Sequence, residues 1–515
     1  MFHNILCNRC MGINMNIYQE LKNLKVANNL KKNEDILKDV FKDANDIVFR
    51  NFSVGQNKKI NILLVYVDGM TTKDSISEYA VQSMMEAVDL EKFEKNPEKE
   101  LQYAIMQTSI SITETGTLQT LQECVDKMLS GETILFIDTC SKALWLSSRG
   151  WPIRGIQEPA AETLIRGARD GFIETMKINI TLIRRRIRDP RLKIKYMSVG
   201  DRSKTDIAIL YIEDIVNKTV LEAVEKRLNN IEIEAVLESS YIEEMIEDDI
   251  YSPFPQVENT ERPDAAASAL LEGRVVIAVD NTPTVLMAPA TFVSFMQSSE
   301  DYYERWMLAC LIRAIRYVAL PIVMLLPALY VAVTQYHPNL LPSQLALYVA
   351  ASRANVPFPP YFEALLMELV MELVREASLR ITTPVGSTIG LVSGLVIGSA
   401  VVEAGLITPI AVIIVALTSL SSFAIPSYNF STALRMIRFF FIISASLFGL
   451  FGISVGLCIM IIHLCTLKSF GVPYLTPLTH FIERREDLKD TIIRPKISNL
   501  VRKPKYLQVE KGKGK

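Results

Sequence analysis

The sequence predicts an α/β soluble region of two lobes followed by an all-α polytopic transmembrane domain. Three observations carry that expectation. Charged residues crowd the chain as far as Arg316 and return after Lys468. Between them lie uncharged runs at 317–336, 381–402, 404–434 and 439–467. Before them, short apolar segments of strand type alternate with segments of helical period. A helix rises about 1.5 Å per residue, so roughly 20 residues cross a ~30 Å hydrocarbon core. Each run is long enough to do so.

The soluble elements follow in order. Residues 60–67 (INILLVYV) read as a buried strand ending at the turn residues Asp68 and Gly69. Residues 72–90 have a helical period, and 133–138 (TILFID) read as a second strand. A polar join at 149–160, with Gly150, Pro152, Gly155 and Pro159, marks a lobe boundary. Beyond it, 167–187 reads as helix, and 192–199 and 205–212 as strands flanking a Gly200-Asp201 turn. Residues 217–228 read as helix, and 275–279 with 284–287 as a hairpin. No repeat of roughly 20–50 residues is visible. The expected domains are a variable segment 1–32, cytoplasmic lobes 33–155 and 156–290, a transmembrane domain 300–468 and a basic cytoplasmic tail 469–515.

A net charge of -2 argues against a nucleic-acid binder, whose basic patch dominates its balance. Seven cysteines at irregular spacing suit a reducing compartment. Cys7 and Cys10 beside His3 are short of the four ligands of a zinc site. No secretory signal is visible, so the N-terminal region is expected in the cytoplasm, with Met11 or Met15 as further candidate starts. Phosphate-loop, dinucleotide, H-E-x-x-H and G-x-S-x-G patterns are missing, so neither enzyme activity, metal nor cofactor is expected. His463 lies inside the last run, as a functional group or as a structural hydrogen-bonding one. Residues 200–205 (GDRSKT) read as a basic turn rather than an anion site.

Topology stays open at this stage. Arg305, Arg313, Arg316 and the basic tail place both flanks inside by the positive-inside rule. Four spans satisfy that parity but leave Arg375, Arg380, Arg435 and Arg438 outside. A fifth embedded segment at 357–378 brings some of them back and upsets the parity. Gly386, Gly390, Gly394 and Gly398 form a small-residue ridge, as do Gly449, Gly452 and Gly456 later, and such ridges suit close helix packing in lipid.

Residues 357–378 (PFPPYFEALLMELVMELVREAS) form an amphipathic helix between membrane runs. Glu368, Glu372 and Glu376 share one face, Glu363 stands to the side, and Leu365, Leu366, Leu369, Val370 and Leu373 lie opposite. Three readings stand: an interfacial helix, a carboxylate-lined cation path, and a buried polar network. The apolar face is expected to pack on neighbouring helices.

A set of ordered phrases resembles the GerA/SpoVAF family of spore germination proteins. They include 158–172 (EPAAETLIRGARDGF), 200–212 (GDRSKTDIAILYI), 254–264 (FPQVENTERPD), 271–279 (LEGRVVIAV), 353–368 (RANVPFPPYFEALLME) and 469–477 (SFGVPYLTP). The start, 33–52, is most similar to receptor A subunits. The resemblance implies a multi-pass protein of the spore inner membrane, working with a transporter-like B subunit and a lipoprotein C subunit. It also implies a homo-oligomer that turns nutrient sensing into ion release as a nutrient-gated channel. The alternatives are an accessory SpoVAF-type protein and a secondary transporter.

Overall fold

The computed structural model describes residues 21–54, 60–71, 115–150, 158–159, 162, 166–354, 356–380, 399–480 and 490–496. The helix expected at 72–90, the C-x-x-C, most of the 149–160 join and the ridge Gly386, Gly390, Gly394 and Gly398 lie outside these residues. The chain divides into two units.

The first unit is α/β. It begins with α1 (Leu30–Val40), β1 (Ile47–Val54), β2 (Ile60–Val67) and β3 (Thr115–Leu118). Then come α2 (Leu121–Leu129), β4 (Thr133–Ile137) and β5 (Ala143–Leu146). The strands form one sheet in the order β1-β2-β4-β5-β3, antiparallel throughout. β2 is central, and alternation divides its apolar side chains between two cores. Leu63 and Val65 join the core that holds α1 and α2, while Ile62 and Leu64 join the opposite one. Thr120 and Glu123 close a capping box that starts α2.

The second lobe repeats this plan. It runs α3 (Met176–Arg186), β6 (Leu192–Val199), β7 (Thr205–Ile212), α4 (Lys218–Asn229), α5 (Ser239–Ile246) and β8 (Glu258–Thr260). It closes with α6 (Pro263–Glu272), β9 (Val275–Val279) and β10 (Val285–Ala288). The sheet order β6-β7-β9-β10-β8 matches the first lobe strand for strand. The likeness extends to single side chains. Asn33 accepts from the N–H of Ala27 and donates to its carbonyl at 2.9 and 2.7 Å; Asn179 does the same to Ile173 at 2.8 and 2.6 Å. Asp138, after β4, accepts from the N–H of Leu30; Asp280, after β9, accepts from that of Met176. The repeat unit is thus a whole lobe. The expected strands 192–199 and 205–212 and the 275–287 hairpin are present, but α3 starts at Met176 rather than 167, because 167–175 turns before it can wind.

The second unit is helical. It comprises Glu247–Glu258 and Ala290–Val501. Its helices are α7 (Trp306–Gln335), α8 (Ser343–Arg353), α9 (Pro360–Arg380), α10 (Pro409–Phe423) and α11 (Tyr428–Thr466). Thus 404–434 is not one span: the chain turns after Phe423 and restarts at Tyr428, where Ser427 caps the helix. Nor is 439–467 one straight span. Gly449 has φ +60° and ψ -138°, and the chain reverses there. A Cβ on Gly456 would stand 3.0 Å from the Phe441 ring, although a straight helix would hold these residues roughly 22 Å apart. Gly452 meets the Ser444 carbonyl in the same way. The second glycine series therefore lies between the two arms of a helical hairpin, 428–448 and 450–466, where a side chain would force the arms apart.

Other contacts orient the bundle. Arg438 Nε donates to the Val323 carbonyl at 2.7 Å, and Tyr336 Oη to the Ser446 carbonyl at 2.5 Å, so the first arm runs parallel to α7. The second arm returns, and the chain enters α7 and leaves α11 at the same end. Residues 469–480 and 490–496 are built into this unit rather than forming a free tail. β11 (Lys468–Ser469) pairs with β12 (Val472–Pro473), while Tyr474 and Arg494 are buried. Arg313 and Arg316 are likewise buried against Asp301, so they are paired groups rather than open flanking charges.

Candidate functional site

The acidic helix α9 builds the charged seam of the helical unit. Pro360 opens it, since a proline at the first helical position lacks only an N–H that would be unpaired anyway. Below it lie Glu363, off to one side, and then the stripe Glu368, Glu372 and Glu376.

Glu363 is fully buried. Its Oε1 accepts from Arg353 Nη1 at 2.9 Å, and Oε2 accepts from the N–H and the hydroxyl of Thr408 at 3.2 and 3.1 Å. Thr408 also caps α10, accepting from the Ala411 N–H, and its hydroxyl meets the Tyr330 hydroxyl at 3.0 Å. One carboxylate thereby ties α7, α8, α9 and the start of α10. About one turn on, the buried Glu368 pairs with Arg438 of the first arm. Another turn on, Glu372 meets Arg375 at 3.1 Å and Arg435 at 3.3 Å, and Arg375 reaches the Ser422 hydroxyl of α10 at 3.3 Å. Glu376, the last of the stripe, is exposed.

The faces of α9 differ in part from the expected ones. Leu369 and Leu373 point outward at 54% and 61% exposure, while Glu363 and Glu368 face the bundle and Glu372 is half-buried. Leu365 and Leu366 still pack partly against the core. Polar groups inside and leucines outside is the pattern of a helix whose surroundings are themselves apolar. The buried polar network therefore describes Glu363 and Glu368 better than an interfacial helix does. Each of these carboxylates also has a cationic partner: Glu363, Glu368 and Glu372 face Arg353, Arg375, Arg435 and Arg438, three acids against four arginines. Glu368 Oε1, Arg438 Nη2 and Arg435 Nε are buried without a hydrogen-bond partner among the described residues. The sequence reading had these carboxylates but not their partners, whose signal was the presence of arginines beside apolar runs.

His463 takes the structural role, its Nε2 lying 2.9 Å from the Ser252 hydroxyl. The 200–205 segment is a turn between β6 and β7, with Gly200 at φ +95° and Arg202 paired on the surface to Glu234.

Comparisons with known proteins give the chain's relatives. The family described as Bacillus/Clostridium GerA spore germination protein matches residues 35–506. An uncharacterized membrane protein of Bacillus subtilis (strain 168), YfkQ, is 40% identical over 480 residues, covering 93% of this chain and 91% of that one. Spore germination protein GerLA of Bacillus cereus is 39% identical over 489 residues, covering 95% and 98%. Stage V sporulation protein AF of Bacillus subtilis (strain 168) is 32% identical over 462 residues, covering 89% and 91%.

Proposed function

The chain belongs to the GerA family of spore germination proteins, and on that premise we propose that it is the A subunit of a nutrient germinant receptor. In this reading the helical unit sits in the spore inner membrane, with both of its flanks on the cytoplasmic side. The observation that supports it is α9, which buries Glu363 and Glu368 and turns Leu369 and Leu373 outward. α7 is long and apolar enough to cross a membrane, the two arms of α11 share that apolar composition, and α10 is a shorter apolar helix. The α/β unit would meet the partner subunits, a transporter-like B chain and a lipoprotein C chain.

The subunit's part is to help convert nutrient sensing into ion release, as an oligomeric channel. Of the four carboxylates considered for a cation path, Glu363, Glu368 and Glu372 pair with arginines of the same chain. The path proposal therefore narrows to the exposed end of the stripe at Glu376, where several subunits together would form a carboxylate ring that favours cations.

The second reading, an accessory protein, is favoured by the likeness to stage V sporulation protein AF. Deleting the gene and following monovalent-cation release from spores separates the two. Loss of the response to one nutrient class fits a receptor subunit, and slowing of every response fits the accessory role. Normal release to every nutrient overturns both.

A further inference from the structure

The loop Glu247–Glu258 falls between elements of the second lobe in sequence, yet it packs with the helical unit. It is firmly braced. The buried Gln256 side chain accepts from the N–H groups of Asp248 and Asp249 at 3.0 and 2.9 Å, and donates to the Asp249 carbonyl at 2.6 Å. Ser469 Oγ donates to the Gln256 carbonyl at 2.6 Å. Phe254 is buried against Phe430, His463 and Tyr474, with ring centroids 6.0–6.3 Å apart. On this rigid base the tip holds two large apolar side chains away from the protein: Ile250 is 61% exposed and Tyr251 98%. Tips that face water usually carry small or polar residues.

We propose that Ile250 and Tyr251 form a finger that enters the lipid headgroup region beside the second arm of α11. The proposal rests on the helical unit being membrane-embedded. The surroundings of the tip favour lipid. Ser252, the next residue, bonds His463, which lies within one turn of the helix end at Thr466. Ile459, one turn further in and on the same face, is 54% exposed. The tip thus continues an apolar helix surface at the level where that helix ends. Tyrosine suits this depth, with its ring among acyl chains and its hydroxyl among headgroups. The flanking acids do not oppose the approach. Asp249 accepts from the Tyr251 N–H at 3.1 Å and Asp248 from the Phe470 N–H at 2.6 Å, while the nearby Lys468 is exposed and available to anionic headgroups.

The test uses the full chain in phosphatidylglycerol-containing vesicles, with Trp145, Trp151 and Trp306 replaced by Phe. Tyr251→Trp places the reporter at the tip, and Ile443→Trp places a control on the first arm, where Ile443 is 50% exposed. Phospholipids brominated near the headgroup should quench the tip reporter at least twofold more than aqueous iodide does, and deeply brominated lipids should quench the control. A quenched control with a tip reached only by iodide overturns the finger. So does a tip shielded from both quenchers, which would mean that a partner protein or second copy covers it. An unquenched control overturns the membrane reading itself, and the finger falls with it. A photoreactive benzoylphenylalanine at 251, with all tryptophans kept, gives an independent readout. A phospholipid adduct is expected, and adducts to protein alone overturn the proposal.

Discussion

Two buried arginine–carboxylate pairs, one in each unit, show how differently the same chemistry can be finished. In the α/β unit, Arg184 of the second lobe reaches Asp46 of the first. Its Nε and Nη2 donate to the carboxylate at 2.9 Å each, and Nη1 donates to the Asp189 and Leu192 carbonyls at 3.2 and 3.1 Å. In the helical unit, Arg438 donates to Glu368 and to the Val323 carbonyl, but its Nη2 and Glu368 Oε1 lack partners among the described residues. A bidentate, fully bonded pair fixes one arrangement of two lobes. A buried pair with a donor and an acceptor left over calls for a group that both accepts and donates, as a water molecule does. The first is a finished joint; the second is a joint with room for a further polar partner.

The largest effect is expected where breaking the pair strands a charge away from water. Arg438→Leu leaves the Glu368 carboxylate buried and uncompensated, at a cost of about 3–5 kcal/mol. Folded protein in membranes should fall sharply. Replacing both residues, Glu368→Leu with Arg438→Leu, removes the stranded charge and should restore most of it. Membrane abundance and detergent-extracted melting decide: if the double variant is as depleted as the single, the pair is not isolated from the rest of the seam.

Arg184→Leu tests the finished joint. It strands the buried Asp46 and also frees two carbonyls, again at about 3–5 kcal/mol. Hydrogen exchange should quicken at the lobe junction, where the Ile194 N–H donates to the Asp43 carbonyl at 3.0 Å. Unchanged exchange there would mean that Lys193, whose Nζ donates to the Val40 carbonyl at 2.8 Å, holds the lobes without it.

A smaller and symmetric pair of effects comes from the repeated brace. Asn33→Ala and Asn179→Ala each leave a backbone N–H and carbonyl unpaired, at about 1–3 kcal/mol. The two losses should match within about 0.5 kcal/mol and add, since the sites share no partner. Unequal losses would show that the lobes, though alike in plan, differ in local stability.

How much of this was legible depends on where each signal lies in the sequence. β2 and β7 were readable because central strands buried on both faces are apolar almost throughout, and the hairpin at 275–287 because Asn281 and Pro283 punctuate it. β1 was not, since Arg50 and Asn51, exposed one on each face of this edge strand, break the pattern. The lobe repeat was hidden because its constant features are single bonded side chains, Asn33 with Asn179 and Asp138 with Asp280, spread over long intervals. The reversal at Gly449 was invisible to hydropathy, which sees the same apolar composition in one long helix and in two arms. At the seam, the carboxylates announced themselves by spacing. Their arginines, Arg435 and Arg438, were read as a difficulty of topology, because a charge beside an apolar run says that it needs a partner without saying which one.

The smallest effect is expected at a carboxylate that water already reaches, which sets the lower bound of the comparison. Glu238 stands before α5 and accepts from Ser239 Oγ at 2.6 Å, the Ser240 N–H at 2.7 Å and Thr282 Oγ1 at 2.9 Å. Partial burial alone would raise its pKa, but these donors outweigh burial and bring it to about 2, against an ordinary 4.5. A depressed carboxylate stabilises the fold above its unfolded value, and that contribution fades as pH falls from about 4.5 toward about 2. Solvent screening should hold the loss to about 1 kcal/mol or less. Hydrogen exchange at the start of α5 should therefore be flat above pH 4.5 and quicken below it. Glu238→Gln should be slightly less stable at neutral pH and lose the acid-dependent step. If the step persists in the Gln variant, its source is another carboxylate, and the tie between α5 and the β9–β10 turn does not depend on the Glu238 charge.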